Sequence, residues 1–267
     1  CARIAEKLDI NTWKMLDGKN IKSMTINSFC RIKKQISEEE ANILGWVLTD
    51  GNMGGIDGSI AISQKNKEVL EKLSTSVEDN FQIKNKTYFN RDRLNWKLTI
   101  VPRAIKYYFN LRYGVPLGKK SNIIRVPNEF YECDRNIKLS FLTGCFEGDG
   151  SFSFYARLNR SNNSCSYRVP RANLSSNSLR FLEDIQKILN AMDYECRIYK
   201  DRTGYKLSIM KINQCIRFYF EIMPFMIHRE KISDLKRSLS SEKILDIIRV
   251  ENCGYLIKQL KNKVNKN

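Results

Sequence analysis

Two aspartates, Asp50 and Asp149, each end an apolar stretch and each precede a glycine. The stretches read LGWVLTDG at positions 44–51 and TGCFEGDG at positions 143–150. Small residues recur at every fourth position in both stretches and at the same offset, so each set lies on one face of a helix. The two sets are Ala41, Gly45 and Thr49 in the first copy and Ser140, Gly144 and Gly148 in the second.

Faces of small residues at this spacing let two helix backbones pack closely. Such packing would place Asp50 and Asp149 side by side at two helix C-termini, each of which carries roughly half a negative charge. Neighbouring carboxylates share a proton unless a cation neutralises them, and oxygen-rich sites of this kind suit Mg²⁺. A single Asp-Gly pair also fits a turn after a helix. Two copies in register favour a paired metal-binding site.

The two stretches resemble the LAGLIDADG motifs of homing endonucleases, in the form that carries two motifs in one chain. With their flanks they cover roughly residues 37 to 225. The resemblance implies an α+β fold with two pseudo-symmetric αββαββα repeats, each with an antiparallel sheet that forms a DNA-binding saddle. A linker would join the repeats, and the two motif helices would pack together.

The chain is accordingly expected to divide into five segments. They are an N-terminal helical segment at 1–36, the first repeat at 37–113, a basic linker at 114–131, the second repeat at 132–227 and a basic helical segment at 228–267. The N-terminal segment is similar to a helix-turn-helix of bacterial regulators, although a helical cap on the first repeat fits it equally well. Ser37 and Glu40 are predicted to form a capping box at the start of the first motif helix. The linker owes its charge to Lys119, Lys120 and Arg125.

The net charge of +17 indicates a polyanionic partner, and nucleic acid is the first candidate. An anionic membrane surface is the weaker interpretation, and no apolar run reaches the roughly 18 residues that a spanning helix needs. The eight cysteines include no Cys-x-x-Cys pair and His228 is the single histidine, so neither a zinc site nor a multi-histidine nuclease is expected. Free thiols are expected rather than disulfides. With no visible signal peptide, we expect an intracellular protein located with DNA, in a cytoplasm, nucleoid or organelle, and not a secreted one.

Alternate residues of a strand face opposite sides of a sheet, so a predicted strand at 59–65 turns Ile60 and Ile62 towards the helices and Lys65 away from them. The resemblance implies that the outward faces lie in the major groove of DNA, where donors and acceptors distinguish all four base pairs. The predicted DNA-binding residues are Ser59, Lys65, Lys84, Lys86, Tyr88, Arg91 and Arg93 in the first half and Ser153, Tyr155, Arg157, Arg168, Arg171, Arg197, Tyr199, Lys200 and Lys206 in the second.

The resemblance also implies accessory catalytic residues at matching positions. Gln64 matches a family residue that holds an active-site water, and Ser176 takes its place in the second half. Lys211 matches a lysine that follows the last strand of a repeat. Pro102 stands at the equivalent position of the first half, where Arg103 is predicted to substitute. Unequal pockets of this kind predict unequal cleavage of the two DNA strands.

Together these features predict a site-specific double-strand DNA endonuclease that hydrolyses phosphodiester bonds in a long, asymmetric target. The resemblance implies that Asp50 and Asp149, with the carbonyls of Thr49 and Gly148, hold Mg²⁺ or Mn²⁺, whereas Ca²⁺ could bind without supporting cleavage. The protein is expected to be a monomer that binds double-stranded DNA and does not associate with a membrane. The alternatives are an intron RNA-splicing maturase or a DNA-binding regulator on the same fold, although the intact acids argue against the regulator.

Overall fold

The computed structural model describes residues 20–22, 29–33, 35–54, 58–153, 156–159, 164–167 and 171–228. It opens with a short hairpin of two strands, β1 (Asn20–Lys22) and β2 (Phe29–Arg31). The first repeat then consists of α1 (Glu38–Leu48), β3 (Gly51–Asn52), β4 (Ile60–Gln64), α2 (Lys67–Phe81), β5 (Lys86–Asn90), β6 (Asn95–Ile100) and α3 (Arg103–Tyr113).

The second repeat follows a 3-10 turn at Asn128–Tyr131 and has the same order of elements, with one additional hairpin. It consists of α4 (Arg135–Gly148), β7 (Gly150–Ser153), β8 (Ala156–Asn159), β9 (Ser164–Tyr167), β10 (Arg171–Ser176), α5 (Leu179–Ala191), β11 (Cys196–Asp201), β12 (Gly204–Ile209) and α6 (Ile212–Ile222), with a 3-10 turn at Met223–Phe225. In the additional hairpin, Ala156 pairs with Tyr167 and Asn159 pairs with Ser164.

Each repeat contributes one four-stranded antiparallel sheet in the described part of the chain. The strand order is β3-β4-β6-β5 in the first and β7-β10-β12-β11 in the second. The two sheets share one register, because Gly51 pairs with Ile62 in the first and Gly150 pairs with Leu174 in the second. The predicted α+β fold with two pseudo-symmetric repeats is confirmed.

One face of each sheet is covered by helices, and side-chain alternation selects it. In β4 the buried residues Ile60 and Ile62 alternate with partly exposed Ala61 and Ser63. Leu73 on the buried face of α2 belongs to the same hydrophobic core as these isoleucines. The opposite, outward face carries the polar side chains, as period-two alternation requires.

The two repeats meet along the motif helices α1 and α4, which are buried along most of their length. A Cβ atom added to Gly45 would lie 2.5 Å from the carbonyl oxygen of Phe141 and 2.7 Å from the backbone nitrogen of Cys145. A Cβ atom on Gly144 would likewise overlap the carbonyl oxygen of Asn42. The small-residue faces therefore pack backbone to backbone, as the spacing predicted.

The N-terminal helical prediction is corrected where the structure describes it. Residues 20–22 and 29–31 are antiparallel strands in which Ile21 pairs with Cys30. The polar–apolar–polar order of Asn20, Ile21 and Lys22 suits a strand with one buried face. In β2, Cys30 is 1% exposed. The helix-turn-helix-like stretch up to residue 16 and the C-terminal segment beyond His228 lie outside the described residues.

The start of α1 corresponds only in part to the predicted capping box. Ser37 is the N-cap, and its hydroxyl accepts the backbone N–H of Glu40 at 3.2 Å. The Glu40 carboxylate is fully buried, where it accepts hydrogen bonds from the hydroxyls of Tyr108 at 2.5 Å and Tyr113 at 2.6 Å. Two tyrosine donors on α3 thus replace the local backbone partner and tie α1 to α3.

Candidate active site

The ends of the two motif helices lie against each other and bring the two aspartates together. The backbone N–H of Thr49 donates to the Gly45 carbonyl at 3.2 Å as α1 ends, and that of Asp149 donates to the Cys145 carbonyl at 3.1 Å as α4 ends. A Cβ atom on Gly148 would overlap the Thr49 hydroxyl and would lie 3.5 Å from the carboxyl carbon of Asp50. The contact needs a residue without a side chain at position 148. Asp50 is half-buried, and Asp149 is exposed.

Gln64 reaches the first of these acids. Its amide Nε2 donates to the Asp50 Oδ2 at 2.5 Å. The register of the first sheet explains this contact, because Gly51 pairs with Ile62 and Gln64 follows two residues later on the same side of β4. The structure thus places Gln64 beside Asp50, at the predicted position.

Ser176 occupies the equivalent place in the second sheet, two residues after Leu174. It lines an open pocket together with Asp149, Asn177, Thr203 and Gly204. Its hydroxyl accepts the backbone N–H of Ser178 at 3.1 Å. The shorter serine side chain therefore joins a local turn, and the two pockets differ in chemistry.

A residue of the linker, Lys120, completes the site, although no catalytic role was predicted for it from the sequence. Its ammonium group donates to the carbonyl oxygens of Leu48 and, at 3.0 Å, of Thr49. Lys120 is 8% exposed. Burial lowers its pKa to about 8, against the influence of Asp149 and Asp50, which favour the charged form. One basic side chain is therefore buried at the end of α1, where it interacts electrostatically with both acids. The linker's excess of basic residues was the signal available in the sequence, but it did not distinguish Lys120 from its neighbours.

The linker is fixed at both ends, which holds Lys120 in place. At its start, the backbone N–H of Gly118 donates to the Met53 carbonyl of the first repeat at 3.2 Å. Towards its end, the Ser178 hydroxyl of the second repeat donates to the Ile124 carbonyl at 2.8 Å. Next to that bond, Arg125 makes a bidentate ion pair with Asp184 on α5, at 2.6 and 2.9 Å.

The outward faces of the two sheets carry many of the predicted DNA-binding residues. In the first half, Lys86 and Tyr88 on β5 share the face of Lys97 and Thr99 on β6, to which they are paired. In the second half, Arg197 and Tyr199 share the face of Ser208 and Lys206, and Arg171 lies on the same face at the start of β10. Ser59 and Lys65 lie just before and just after β4, at positions that face outward. Arg91 and Arg93 are exposed in the turn between β5 and β6, and exposed Lys84 lies just before β5.

Lys200 is corrected by the register. It pairs with Tyr205 and alternates with Tyr199, so it belongs to the helix-covered side of the sheet, at its exposed edge. Sequence reasoning missed Lys97, which lies at the centre of the first outward face. The backbone register places Ser153 opposite Arg171. Tyr155, Arg168 and the side chains of Ser153 and Arg157 lie outside the described part of the molecule.

Comparisons with known proteins agree with this geometry. A family model described as a LAGLIDADG-like domain matches residues 136–223, which contain the second motif and its sheet. Across both repeats, the chain resembles the homing endonuclease I-WcaI bound to its DNA recognition sequence, with a TM-score of 0.52 and 17% identity over 74% of this chain and 86% of that one. It also resembles mesophilic variants of the homing endonuclease I-DmoI, with a TM-score of 0.51 and 16% identity over 72% of this chain and 98% of that one. Residues 136–223 therefore match the LAGLIDADG-like domain, and the two repeats have the fold of these homing endonucleases.

The chain also matches parts of longer curated proteins. The chain is 27% identical over 210 residues to a tRNA-splicing ligase RtcB of Pyrococcus abyssi, covering 72% of this chain and 22% of the ligase. It is 30% identical over 122 residues to a DNA polymerase of Acanthamoeba polyphaga mimivirus, covering 43% of this chain and 7% of the polymerase. The chain thus spans about a fifth or less of the length of these relatives.

The structure does not bring Lys211 or Arg103 to Asp50 and Asp149, which corrects two predicted positions. Strand β12 starts at Gly204 beside the pocket and ends at Ile209, about 17 Å away at 3.4 Å per residue. Lys211 lies beyond that far end, where its ammonium pairs with the Glu195 carboxylate. Arg103 is placed in the same way beyond the far end of β6. The strands run away from the motif helices, so a residue that follows them in sequence is remote in space.

The oxygen atoms at the candidate active site suit a hard divalent cation. The carboxylates of Asp50 and Asp149 and the carbonyls at the ends of both motif helices offer only oxygen ligands, which Mg²⁺ and Mn²⁺ prefer. The carbonyl of Thr49 already accepts one hydrogen bond from Lys120, and a carbonyl oxygen has a second lone pair.

No helix in the described ranges is long and apolar enough to cross a membrane.

Proposed function

We propose that the chain is a site-specific endonuclease that hydrolyses phosphodiester bonds in double-stranded DNA, with Mg²⁺ or Mn²⁺ as cofactor. The observation that carries the proposal is the convergence of Asp50, Asp149 and Lys120 at the junction of two sheets whose outward faces carry basic and aromatic side chains. The fold relatives support it, since I-WcaI is described as bound to its DNA recognition sequence and I-DmoI, at a TM-score of 0.51, as in complex with DNA and Ca.

The two carboxylates would hold the metal, together with the Gly148 and Thr49 carbonyls at the helix ends. When bound, a divalent cation stabilises the negative charge that develops on the attacking and leaving oxygens of the phosphodiester. Because the two acids belong to different repeats, one folded chain assembles the complete site. We therefore infer that the protein acts as a monomer and that it functions in a compartment that contains DNA.

Lys120 would offset the negative charge of the two acids so that a DNA phosphate can approach them. Its two carbonyl partners hold the ammonium group at the ends of the helices, so no reorganisation is needed when the phosphate arrives. Preorganised donors of this kind are worth roughly 10²–10³-fold in rate. Gln64 would orient a water molecule: its Nε2 donates to Asp50, and its amide oxygen can accept a hydrogen bond from that water.

The two pockets would act on the two DNA strands at different rates. The pocket of Asp50 contains the long amide side chain of Gln64, whereas the pocket of Asp149 contains the short hydroxyl of Ser176 and opens towards Asp201 and Thr203. A target read by two different sheets is asymmetric, and the combined length of the sheets implies a long one. A nicked intermediate is therefore expected during cleavage of a plasmid.

The alternative functions lack a comparable observation. A DNA-binding regulator has no use for two acids and a buried lysine, which are expensive to bring together, because buried charges need partners. A splicing role could be suggested by the name of the ligase relatives. However, a ligase and a polymerase match the same chain over small parts of their lengths, so the shared segment does not account for either activity.

The test is cleavage of a randomised double-stranded DNA library with Mg²⁺, followed by assays on the selected site. Asp50→Asn and Asp149→Asn are each expected to lower the cleavage rate by about 10²-fold or more, because several kcal/mol of charge stabilisation is lost with the metal. DNA binding measured in Ca²⁺ should remain. Asp79→Asn on the exposed surface of α2 is the matched control and should cleave normally. Full activity of both active-site variants would refute the assignment.

A further inference from the structure

The outward face of each sheet contains a row of the same three residue types at the same register. In the first sheet, Ser63 on β4 pairs with Lys97 on β6, which pairs with Tyr88 on β5. In the second sheet, the corresponding row consists of Ser175 on β10, Lys206 on β12 and Tyr199 on β11. We call these two sets the Ser-Lys-Tyr rows.

Both rows start next to the active-site aspartates. The backbone N–H of Ser175 donates to the Asp149 carbonyl at 3.3 Å, and Ser63 is one residue beyond Ile62, the partner of Gly51. Neighbouring strands are about 4.8 Å apart, so the backbone of each lysine is about 10 Å from that of its aspartate. A lysine side chain in each row can therefore reach DNA close to each scissile bond.

The lysine of the first row lies near its tyrosine ring, and the tyrosines of both rows are exposed. The ammonium group of Lys97 is 5.9 Å from the centre of the Tyr88 ring. Tyr88 is 45% exposed and Tyr199 is 41% exposed, which is unusual for large aromatic side chains. An ammonium group beside a phenol offers a charge and a hydrogen-bond donor, and phosphate oxygens accept both.

The identity of the two rows limits what they can recognise. An asymmetric target presents different base pairs to the two halves, so residues that read bases must differ between the sheets. The neighbouring outward position on the strands that carry the two serines does differ. It is Ala61 on β4 in the first half and Asn173 on β10 in the second. The sugar-phosphate backbone is the feature that both half-sites share, and identical residues at equivalent positions suit it.

We propose that Lys97 with Tyr88 and Lys206 with Tyr199 bind backbone phosphates beside the two scissile bonds, irrespective of base sequence. This inference rests on the proposed DNA endonuclease function, and it assigns the rows to positioning and not to base reading. The base-reading positions would lie further out on each sheet, as at Lys86 and Arg197.

Because of one difference between the rows, the second row is expected to bind phosphate more weakly than the first. The Lys206 ammonium pairs with the Asp201 carboxylate at 2.7 Å. The equivalent position in the first sheet is Asn90, whose side chain accepts the backbone N–H groups of Asp92 and Arg93. A phosphate must displace Asp201 before it can bind Lys206, so the second half engages the backbone less readily than the first.

The first experiment measures DNA binding by fluorescence anisotropy as a function of KCl, on the selected target and on an unrelated duplex. Lys97→Met and Lys206→Met should each reduce the slope of log K against log salt by about 0.9, because each removes one phosphate contact. Each variant should weaken binding to the two duplexes by the same factor and leave the base preference in a randomised-site selection unchanged. Lys72→Met, on the helix side of the first repeat, is the control and should keep the wild-type slope.

An unchanged slope for Lys97→Met and Lys206→Met, or a base preference altered at one position of the site, would overturn the proposal. Wild-type protein that binds DNA but cleaves no duplex would contradict the endonuclease function while the salt slopes still decide the role of the rows. Wild-type protein that binds no duplex at low salt would overturn both.

The second experiment exchanges the residues that distinguish the rows. Asp201→Asn should tighten DNA binding about twofold to fivefold, the range of a partly exposed ion pair, and Asn90→Asp should weaken it by a similar factor. Asp201→Asn in a Lys206→Met background should have no effect, because the ion pair is already absent. An equal gain in that background would show that Asp201 acts on DNA directly and would overturn the ion-pair argument.

Discussion

The close contact between α1 and α4 allows a prediction about whether a substitution raises or lowers the stability of the protein. Replacing glycine by alanine inside a helix normally stabilises it, by roughly 1 kcal/mol on helix propensity. Gly45→Ala is expected to do the opposite. The added methyl group would lie 2.5 Å from the Phe141 carbonyl oxygen and 2.9 Å from the Gly144 carbonyl carbon. Optimal contacts are about 3.5–4.0 Å, so the two helices would have to separate by about 1 Å.

The magnitude follows from the nature of the clashing atoms. All three nearest atoms belong to the backbone of α4, and a backbone within a packed helix cannot rotate away as a side chain can. Overpacking of this kind costs about 1–3 kcal/mol. For a chain of this size, that corresponds to a fall in Tm of about 2–12 °C. A separation of 1 Å at the helix ends also displaces Asp50 from Asp149, and misplacement by that distance can lower a rate by about 10²-fold.

Gly148→Ala provides the matched comparison. Its methyl group would meet the side chain of Thr49, with the hydroxyl oxygen as the nearest atom. Thr49→Ala removes the hydroxyl oxygen but keeps the Cβ atom at 2.9 Å, so the double variant should recover only part of the stability that Gly148→Ala loses. The assays are thermal unfolding and cleavage of the target by each variant. A Gly45→Ala protein that is more stable than wild type, with unchanged cleavage, would refute the close packing of the two motif helices.

Three further outcomes are expected. Lys120→Met should lower the cleavage rate by about 10²–10³-fold with little change in DNA binding, whereas Lys119→Met, at an exposed neighbouring position, should cleave normally; equal losses would contradict the assignment of Lys120. The pKa of Lys120 is lowered from the ordinary 10.5 to about 8, chiefly by burial, so between these pH values the unfolded chain binds the proton that the folded chain releases. The free energy of unfolding of wild type, relative to that of Lys120→Met, should therefore rise by up to about 3 kcal/mol between pH 8 and 10.5. Urea unfolding at a series of pH values measures this difference. A difference that does not change with pH would contradict the burial of the ammonium group. Lys211→Met should leave both strands cut at wild-type rates in an end-labelled duplex, because the side chain lies at the remote end of β12; slower cleavage of one strand would restore the prediction made from sequence.

Local pattern accounts for the parts of the site that lie close to the motifs in sequence. The repeated small-residue face predicted the contact of α1 with α4, because residues four apart share one side of a helix whatever surrounds it. Alternation in β4 predicted which residues face outward. The family resemblance implied that Gln64 lies in the pocket of Asp50, and its amide contacts that carboxylate. The same reasoning placed Lys86, Tyr88, Arg197 and Tyr199 on the outward faces.

Reasoning from spacing failed where strand direction or register decides the outcome. Lys211 and Arg103 follow the last strands in sequence, but antiparallel pairing directs those strands away from the aspartates. Lys200 differs from its neighbour Tyr199 by one residue, and one residue is enough to reverse the face of a strand. Helices were predicted where the structure has the strands β1 and β2, because the conformation of such short segments depends on the partner with which they pair.

The sequence by itself determined the fold class, the pairing of the motif helices and the two acids, because each depends on a periodic pattern that is legible within about fifteen residues. Only the tertiary structure decided that Lys120 is the basic residue of the site. Nothing in a basic linker distinguishes one lysine from the next until Met53, Ser178 and Asp184 hold the chain across the helix ends. The match between the two Ser-Lys-Tyr rows was also a property of the folded sheets. Their members come from three strands that are separated in sequence, and only the register of hydrogen bonds brings them into line.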